Sequence, residues 1–258
     1  MKVKDKVVVV TGGGNGIGRA MCRRFAAEGA RGVVVADLEG DAADKVAKEI
    51  RGIAVAANVG IEADVKRLVK QAIDAYGRID LFCSNAGVGG FDAGLDAPNT
   101  LWQQMWDVNL MAHVYAARAV VPGMVAQGGG YLLQTASAAG MLTHIDNAPY
   151  AVTKHAVIAF AEFLAVNYGD SGVKVSCLCP QGVNTRMLLG KDGQRQTFLR
   201  AGAIEPEQLA EAVVKGLDEE KFFILPHPEV AELYRRKAEL PERWIRGTQK
   251  LRARTRGK

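Results

Sequence analysis

Tyr150 and Lys154 stand four residues apart in the stretch Y-A-V-T-K, and Ser137 precedes the tyrosine by thirteen positions. A phenol is a poor base near neutrality because its unperturbed pKa is about 10. An ammonium group a few ångström away favours the phenolate. On a helix, residues i and i+4 share a face, so this spacing lets Lys154 act on Tyr150. Such a pair can take a proton from a hydroxyl or return one to a carbonyl oxygen. An ordinary helix also carries a Tyr and a Lys four apart by chance, so the pair needs independent support. A glycine loop near the start of the chain supplies it.

That loop is Thr11-Gly12-Gly13-Gly14-Asn15-Gly16-Ile17-Gly18, between a V-V-V-V run and a helical pattern. Glycines there let the backbone turn tightly and approach a diphosphate at the positive end of a helix. Asp37 ends the next β-branched run, nineteen residues beyond Gly18. Its carboxylate is placed to accept hydrogen bonds from an adenosine ribose diol. It would repel a 2′-phosphate, and Asn15, Leu38 and Glu39 offer no cation to hold one. The expected cofactor is therefore NAD rather than NADP. Asp37 could instead cap the following helix, a reading that the upstream glycines disfavour.

The elements that must position these groups alternate. Short β-branched runs at residues 7–10, 33–36, 53–57 and 79–83 are separated by helical patterns at 19–27, 41–50 and 63–76. Strand-helix-strand spacing of this kind predicts a parallel sheet with helices on both faces. The V-V-V-V run is apolar on both alternating sides, as a central parallel strand must be. Further on, helical patterns cover 101–126, a strand 130–135, and a helix bearing Tyr150 and Lys154 runs to about 168. A strand at 173–179 follows, and then the periodicity breaks. Residues 185–203 hold glycines, basic residues and scattered Met, Leu and Phe, which predicts a mobile lid. A helix starting at Glu205-Pro206, a short strand at 222–225 and a helix at 228–237 complete the pattern.

The 258 residues, 48% hydrophobic and 24% charged, read as one ordinary globular α/β domain spanning 1–258. The net charge of +5 gathers at the end, where Arg243, Arg246, Lys250, Arg252, Arg254, Arg256 and Lys258 face only Glu242. A basic tail at 242–258 can meet nucleic acid or anionic lipid. The plainer expectation is a solvated or frayed terminus, with no nucleic-acid or membrane partner. Cys22, Cys83, Cys177 and Cys179 lack C-x-x-C spacing and sit among apolar neighbours, as structural thiols of a reducing compartment do; no metal site is visible. The start is too short in apolar residues for a signal peptide, and no run approaches the roughly 20 apolar residues of a membrane span. A cytoplasmic protein is expected.

Over residues 6–185 the chain resembles the short-chain dehydrogenase/reductase family. The spacing T-G-x-x-x-G-x-G is particular to that family, and Ser84-Asn85-Ala86-Gly87 is similar to its N-N-A-G segment. Asn109 in V-N-L matches its helix asparagine, and Pro180-Gln181-Gly182-Val183-Asn184-Thr185 resembles its P-G-x-V-x-T turn. The resemblance implies a doubly wound, Rossmann-like domain of about seven parallel strands, often a homotetramer built through the helices bearing the Asn and the Tyr. It implies an NAD-dependent oxidoreductase acting on the CH-OH group. In that scheme Tyr150 exchanges the proton, while Lys154 lowers the tyrosine pKa and holds nicotinamide ribose hydroxyls. Ser137 steadies the substrate oxygen, and Asn109 helps keep a water linking Lys154 to solvent. Implied cofactor contacts are Gly12, Asn15, Gly16, Ile17, Gly18, Asp37, Leu38, Asn58, Val59, Asn85, Ala86, Gly87, Tyr150, Lys154, Val183 and Thr185. Three positions depart from the pattern. Asn58-Val59 replaces Asp-Val, Ser84 replaces the first Asn, and Gln181 replaces a glycine, unless the turn carries its glycine one place later.

The substrate pocket is expected among Val88, Phe91, Met141, Leu142, His144, Met187, Leu188 and Phe198, with Arg186 and His144 as candidate polar contacts. Most are apolar, which points to a medium-sized, fairly hydrophobic secondary alcohol or ketone. A different class remains open: a dinucleotide-binding sensor or scaffold in which the chemistry has been lost.

Overall fold

The computed structural model describes residues 1–89, 92–190, 192–193, 197 and 199–256. Seven strands, β1 (Val7–Thr11), β2 (Gly32–Asp37), β3 (Ile53–Ala56), β4 (Leu81–Ser84), β5 (Gly130–Thr135), β6 (Val173–Leu178) and β7 (Phe223–Ile224), pair in the order β3-β2-β1-β4-β5-β6-β7. Every pairing is parallel. Val7 to Val10 of β1 have no exposed surface; Val9 faces one core, and Val8 and Val10 face the other. Each such valine contributes about 1.5–3 kcal/mol by its burial.

Helices α1 (Gly16–Ala27) and α2 (Gly40–Ile50) cover one face, joined later in the chain by α9 (Pro206–Asp218). Helices α3 (Glu62–Tyr76), α5 (Ala112–Ala126) and α7 (Ala148–Tyr168) cover the other. The strand order reverses between β1 and β4, and a crevice opens outside the carboxyl ends of the strands at such a point. Around it lie α4 (Asn99–Trp106), α6 (Ala138–Leu142), α8 (Arg186–Leu189), α10 (Glu229–Glu239) and α11 (Pro241–Arg256). Among the described residues, no helix is long and apolar enough to cross a membrane.

Two readings become more definite here. The helical patterns at 101–126 are α4 and α5, joined by a π-helical turn, Asp107–Met111, centred on Asn109. Of the two readings of the basic end, solvated fits and frayed does not as far as Arg256: α11 runs for 16 residues, mostly exposed, and packs beside α10. Alternating Arg and Lys with Thr, Ala and Gln hides a helix from any reading based on apolar periodicity.

Candidate active site

One open cleft of about 1790 Å³ lies at the carboxyl edge of the sheet. Ordinary small-molecule pockets hold roughly 300–1,000 Å³, so this one has room for two ligands together. Every residue expected to contact a cofactor lines it. Ser137, Tyr150 and Lys154 line it too, whereas Asn109 is fully buried behind it.

The glycine loop leaves β1 and enters α1. Gly12 has φ +65° and Gly16 φ +49°, a region favouring glycine. A Cβ on Gly18 would stand 2.0 Å from the Gly12 carbonyl oxygen, and one on Gly12 would stand 3.0 Å from Cα of Ala86. The floor of the cleft is thus bare backbone at the first turn of a helix, where amide donors lack intrahelical partners. Thr11 ties this floor to β4: its Oγ1 accepts from the amides of Asn85 (2.9 Å) and Ala86 (3.1 Å), and Asn85 Nδ2 donates to the Thr11 carbonyl at 2.9 Å.

Asp37 is held by two backbone donors, Gly14 N to Oδ2 at 2.9 Å and Glu39 N to Oδ1 at 3.0 Å. Both oxygens keep a lone pair for a diol. Asn58 accepts the Gly60 amide on Oδ1 at 3.0 Å, so its side chain is already part of the local turn. Arg19 belongs to none of the sequence motifs. It follows Gly18, lines the cleft, and its buried Nε has no hydrogen-bond partner.

The reactive groups come from three elements. Ser137 caps α6, its Oγ accepting from Ala139 N at 3.1 Å. Asn147 caps α7 through Tyr150 N at 2.9 Å, which fixes the turn that carries the tyrosine. Lys154, one turn later, is buried, donates to the Thr135 carbonyl at 2.9 Å and lies 5.8 Å from the Tyr150 ring centroid. Asn109 grips the main chain of Val88 with both ends of its amide, accepting from its N at 2.8 Å and donating to its O at 3.0 Å. It thereby sets the path from Gly87 to Gly89, whose backbone lies against the Tyr150 ring: a Cβ on Gly89 would be 2.9 Å from two ring carbons.

The electrostatics differ from expectation. Burial raises the Tyr150 pKa above its ordinary value of 10.0, and the Ser137 hydroxyl, hydrogen-bonded to the phenol, pulls it back. Burial lowers Lys154 from 10.5 to about 8. Lys154 is not among the groups that move the tyrosine, whose burial dominates, so near neutrality Tyr150 is a phenol rather than a phenolate. Burial also lowers His144, whose ring meets Tyr150 edge-on at 6.0 Å.

The segment after β6 bears on the Gln181 question. A Cβ on Gly182 would lie 2.4 Å from the Leu199 carbonyl oxygen, so the obligatory glycine stands one place after Gln181. Buried His227 clamps the turn, accepting from Gln181 N at 3.2 Å and lying 3.1 Å from the Gly182 carbonyl. Thr185 then approaches the glycine loop: its Cγ2 would be 3.1 Å from a Cβ on Gly16. Among the expected substrate contacts, Val88, Leu142, His144, Arg186, Met187 and Leu188 line the cleft. Met141 does not; it is buried in the core, and its carbonyl accepts Lys237 Nζ at 2.6 Å. Phe91 and Phe198 lie outside the described residues. All four cysteines are buried and free.

Comparison with known proteins agrees with this architecture. Residues 6–196 match the short chain dehydrogenase family. The chain belongs to that family. It is 38% identical over 235 residues to 1-deoxy-11-beta-hydroxypentalenate dehydrogenase of Streptomyces exfoliatus, covering 87% of this chain and 84% of that one. It is 32% identical over 232 residues to meso-2,3-butanediol dehydrogenase of Serratia marcescens, covering 87% and 92%. A short chain dehydrogenase/reductase from Burkholderia phymatum, solved in complex with NAD, superposes with a TM-score of 0.85 at 27% identity over 94% of this chain and 96% of the other. This short-chain dehydrogenase is accordingly an oxidoreductase of alcohols and ketones that uses a nicotinamide dinucleotide.

Proposed function

We propose that this enzyme is a single-domain, cytoplasmic, NAD-linked dehydrogenase of apolar secondary alcohols, or reductase of their ketones. The observation that carries this reading is the convergence of the Ser137 and Tyr150 hydroxyls and the Lys154 ammonium on the cleft that also holds the bare glycine loop. That loop fits a diphosphate because side chains there would fill the space, and Asp37 fits a ribose diol. A bound nicotinamide supplies the hydride acceptor or donor. Gly12, Asn15, Gly16, Ile17 and Gly18 would hold its diphosphate, with Asp37 and Leu38 at the adenosine ribose and Asn58 and Val59 near the adenine. Asn85, Ala86, Gly87, Val183 and Thr185 would flank the nicotinamide half.

The protein's own steps follow from its geometry. The Ser137 hydroxyl donates to the substrate oxygen as charge builds there, a stabilisation that is large where water is excluded. The Tyr150 hydroxyl gives a proton to a carbonyl oxygen, and in the reverse direction its phenolate accepts one from the alcohol. A phenol with a raised pKa suits donation near neutrality, so carbonyl reduction gains as pH falls and alcohol oxidation gains as pH rises. Lys154, close to its own titration point, exchanges the proton onward and holds ribose hydroxyls. Asn109 is a positioning residue here, since its side chain is committed to Val88 and Thr153; any water it keeps would be bound through its main chain.

NAD over NADP rests on Asp37. Asp37→Ser combined with Leu38→Arg is expected to shift the kcat/KM ratio towards NADP by at least about tenfold, a gain of one charged contact. Unchanged discrimination, followed at 340 nm with either dinucleotide, would remove Asp37 from cofactor choice and hand it to Arg19.

A homo-oligomer is the second part of the reading. On α7, Val152, Phe163 and Val166 are 45%, 54% and 81% exposed, and Phe160 stacks on Phe163. Exposed apolar surface of this kind on one helix is the usual mark of a protein contact. Sedimentation equilibrium should give a dimer or tetramer, and Phe163→Glu with Val166→Glu should give monomer. A wild-type monomer at micromolar concentration would dispose of the assembly.

A further inference from the structure

Four residues of α11, Trp244, Thr248, Leu251 and Thr255, line the same cleft as Tyr150. Their spacing of four, three and four places them on one helical face. Trp244, Thr248 and Thr255 are half-buried, whereas most of the helix is exposed. Both threonine hydroxyls are spent on the helix itself, Thr248 donating to the Trp244 carbonyl and Thr255 to the Arg252 carbonyl, each at 3.0 Å. What α11 offers the cleft is therefore an indole, a leucine and two threonine methyls. The helix is held in place by contacts with α10 and by Arg252, 3.9 Å from Asp146 in the loop that enters α7. Leu142, His144 and Met187 line the same cleft. None of this helix lies within the part of the chain that matches the family, which ends at residue 196.

We propose that α11 is the outer wall of the substrate chamber, and that its apolar face selects bulky alicyclic alcohols and ketones over short-chain ones. This rests on the dehydrogenase reading above, and it separates two substrate sizes that the reading leaves together. A small acyclic ketone held at Ser137 and Tyr150 leaves the α11 side of a cleft this large wet. On this proposal a bicyclic ring system with its oxygen at Tyr150 extends towards Trp244 and Leu251, which line the same cleft. Trp244 also packs against the main core, which fixes the start of α11 beside the cleft.

The test uses the full chain with 2-decalone and 2-butanone as probes, with 2-decalol as the matching alcohol. In the wild type, 2-decalone is expected to slow amide hydrogen exchange within 241–256 and to change indole fluorescence, and 2-butanone to do neither. Trp244→Ala and Leu251→Ala should each weaken 2-decalone binding by about tenfold, the discrimination typical of lost apolar contact in a pocket. Binding of 2-butanone and NAD should be unchanged. Unaltered 2-decalone affinity in both variants, no protection of 241–256, or no 2-decalone binding at all would overturn the proposal. A protein that binds 2-decalone against α11 yet oxidises no 2-decalol with NAD would sink the dehydrogenase reading alone. One that oxidises 2-decalol with the same KM after both substitutions would sink the α11 wall alone.

Discussion

Tyr150→Phe is expected to lower kcat/KM by about 10²–10⁴-fold, the usual contribution of a positioned acid or base. The substitution removes one oxygen and keeps the ring, so packing is preserved. The Gly89 backbone still lies against the ring face, and the edge-on contact with His144 remains. Ser137 keeps its bond from Ala139 N and its approach to the Pro180 carbonyl. The dinucleotide loop lies on other strands and should bind NAD with unchanged affinity by calorimetry. A variant that retains full turnover would transfer the proton to another group, and His144 is the nearest titratable ring.

Lys154→Met is expected to abolish most turnover without the stability loss that ordinarily follows removal of a buried polar contact. The sign follows from the pKa. Lys154 falls from 10.5 to about 8 in the folded protein, so between those values the unfolded chain binds the extra proton. Stability therefore rises with pH from about 8 to 10.5 and is flat below. At pH 7 the buried charge costs about 3 kcal/mol, since each tenfold loss of proton affinity is worth about 1.4 kcal/mol. Methionine removes that cost, but it leaves the Thr135 carbonyl unpaired at about 1–3 kcal/mol. The two nearly cancel, so Tm at pH 7 should stay within about 5 °C of wild type at roughly 2–4 °C per kcal/mol. The alkaline rise in stability between pH 8 and 10 should vanish. A Tm lower by 10 °C or more at pH 7 would show that the Lys154 contact stabilises the fold and that its charge is not strained.

The sheet was legible because β-branched runs buried on both faces leave no alternative, and β5 lies where the pattern placed it, at 130–135. The glycine loop was legible because only glycine tolerates the 2.0 Å approach at Gly18. What escaped reading had no side-chain signature. The Thr135 carbonyl that receives Lys154 is backbone, which residue type does not reveal. The π-helical turn at Asn109 shifts the helical phase without altering composition. Met141 and Leu142 are adjacent apolar residues on a five-residue helix, too short for periodicity to separate core from cleft. In α11 the inward stripe is half threonine, and the arginines around it read as a solvated tail. Arg19 looks like any surface residue of an amphipathic helix until the cleft is drawn beside it.

The central claim is that the Tyr150 cleft breaks a carbinol C–H bond at the expense of NAD, and absorbance at 340 nm reads that event directly. Wild-type protein mixed with NAD and a broad panel of secondary alcohols should give rising absorbance, slower when the carbinol carbon carries deuterium. Flat absorbance with every alcohol, and no oxidation of NADH by the matching ketones, from a protein that still binds NAD would leave a dinucleotide-binding sensor in place of the enzyme.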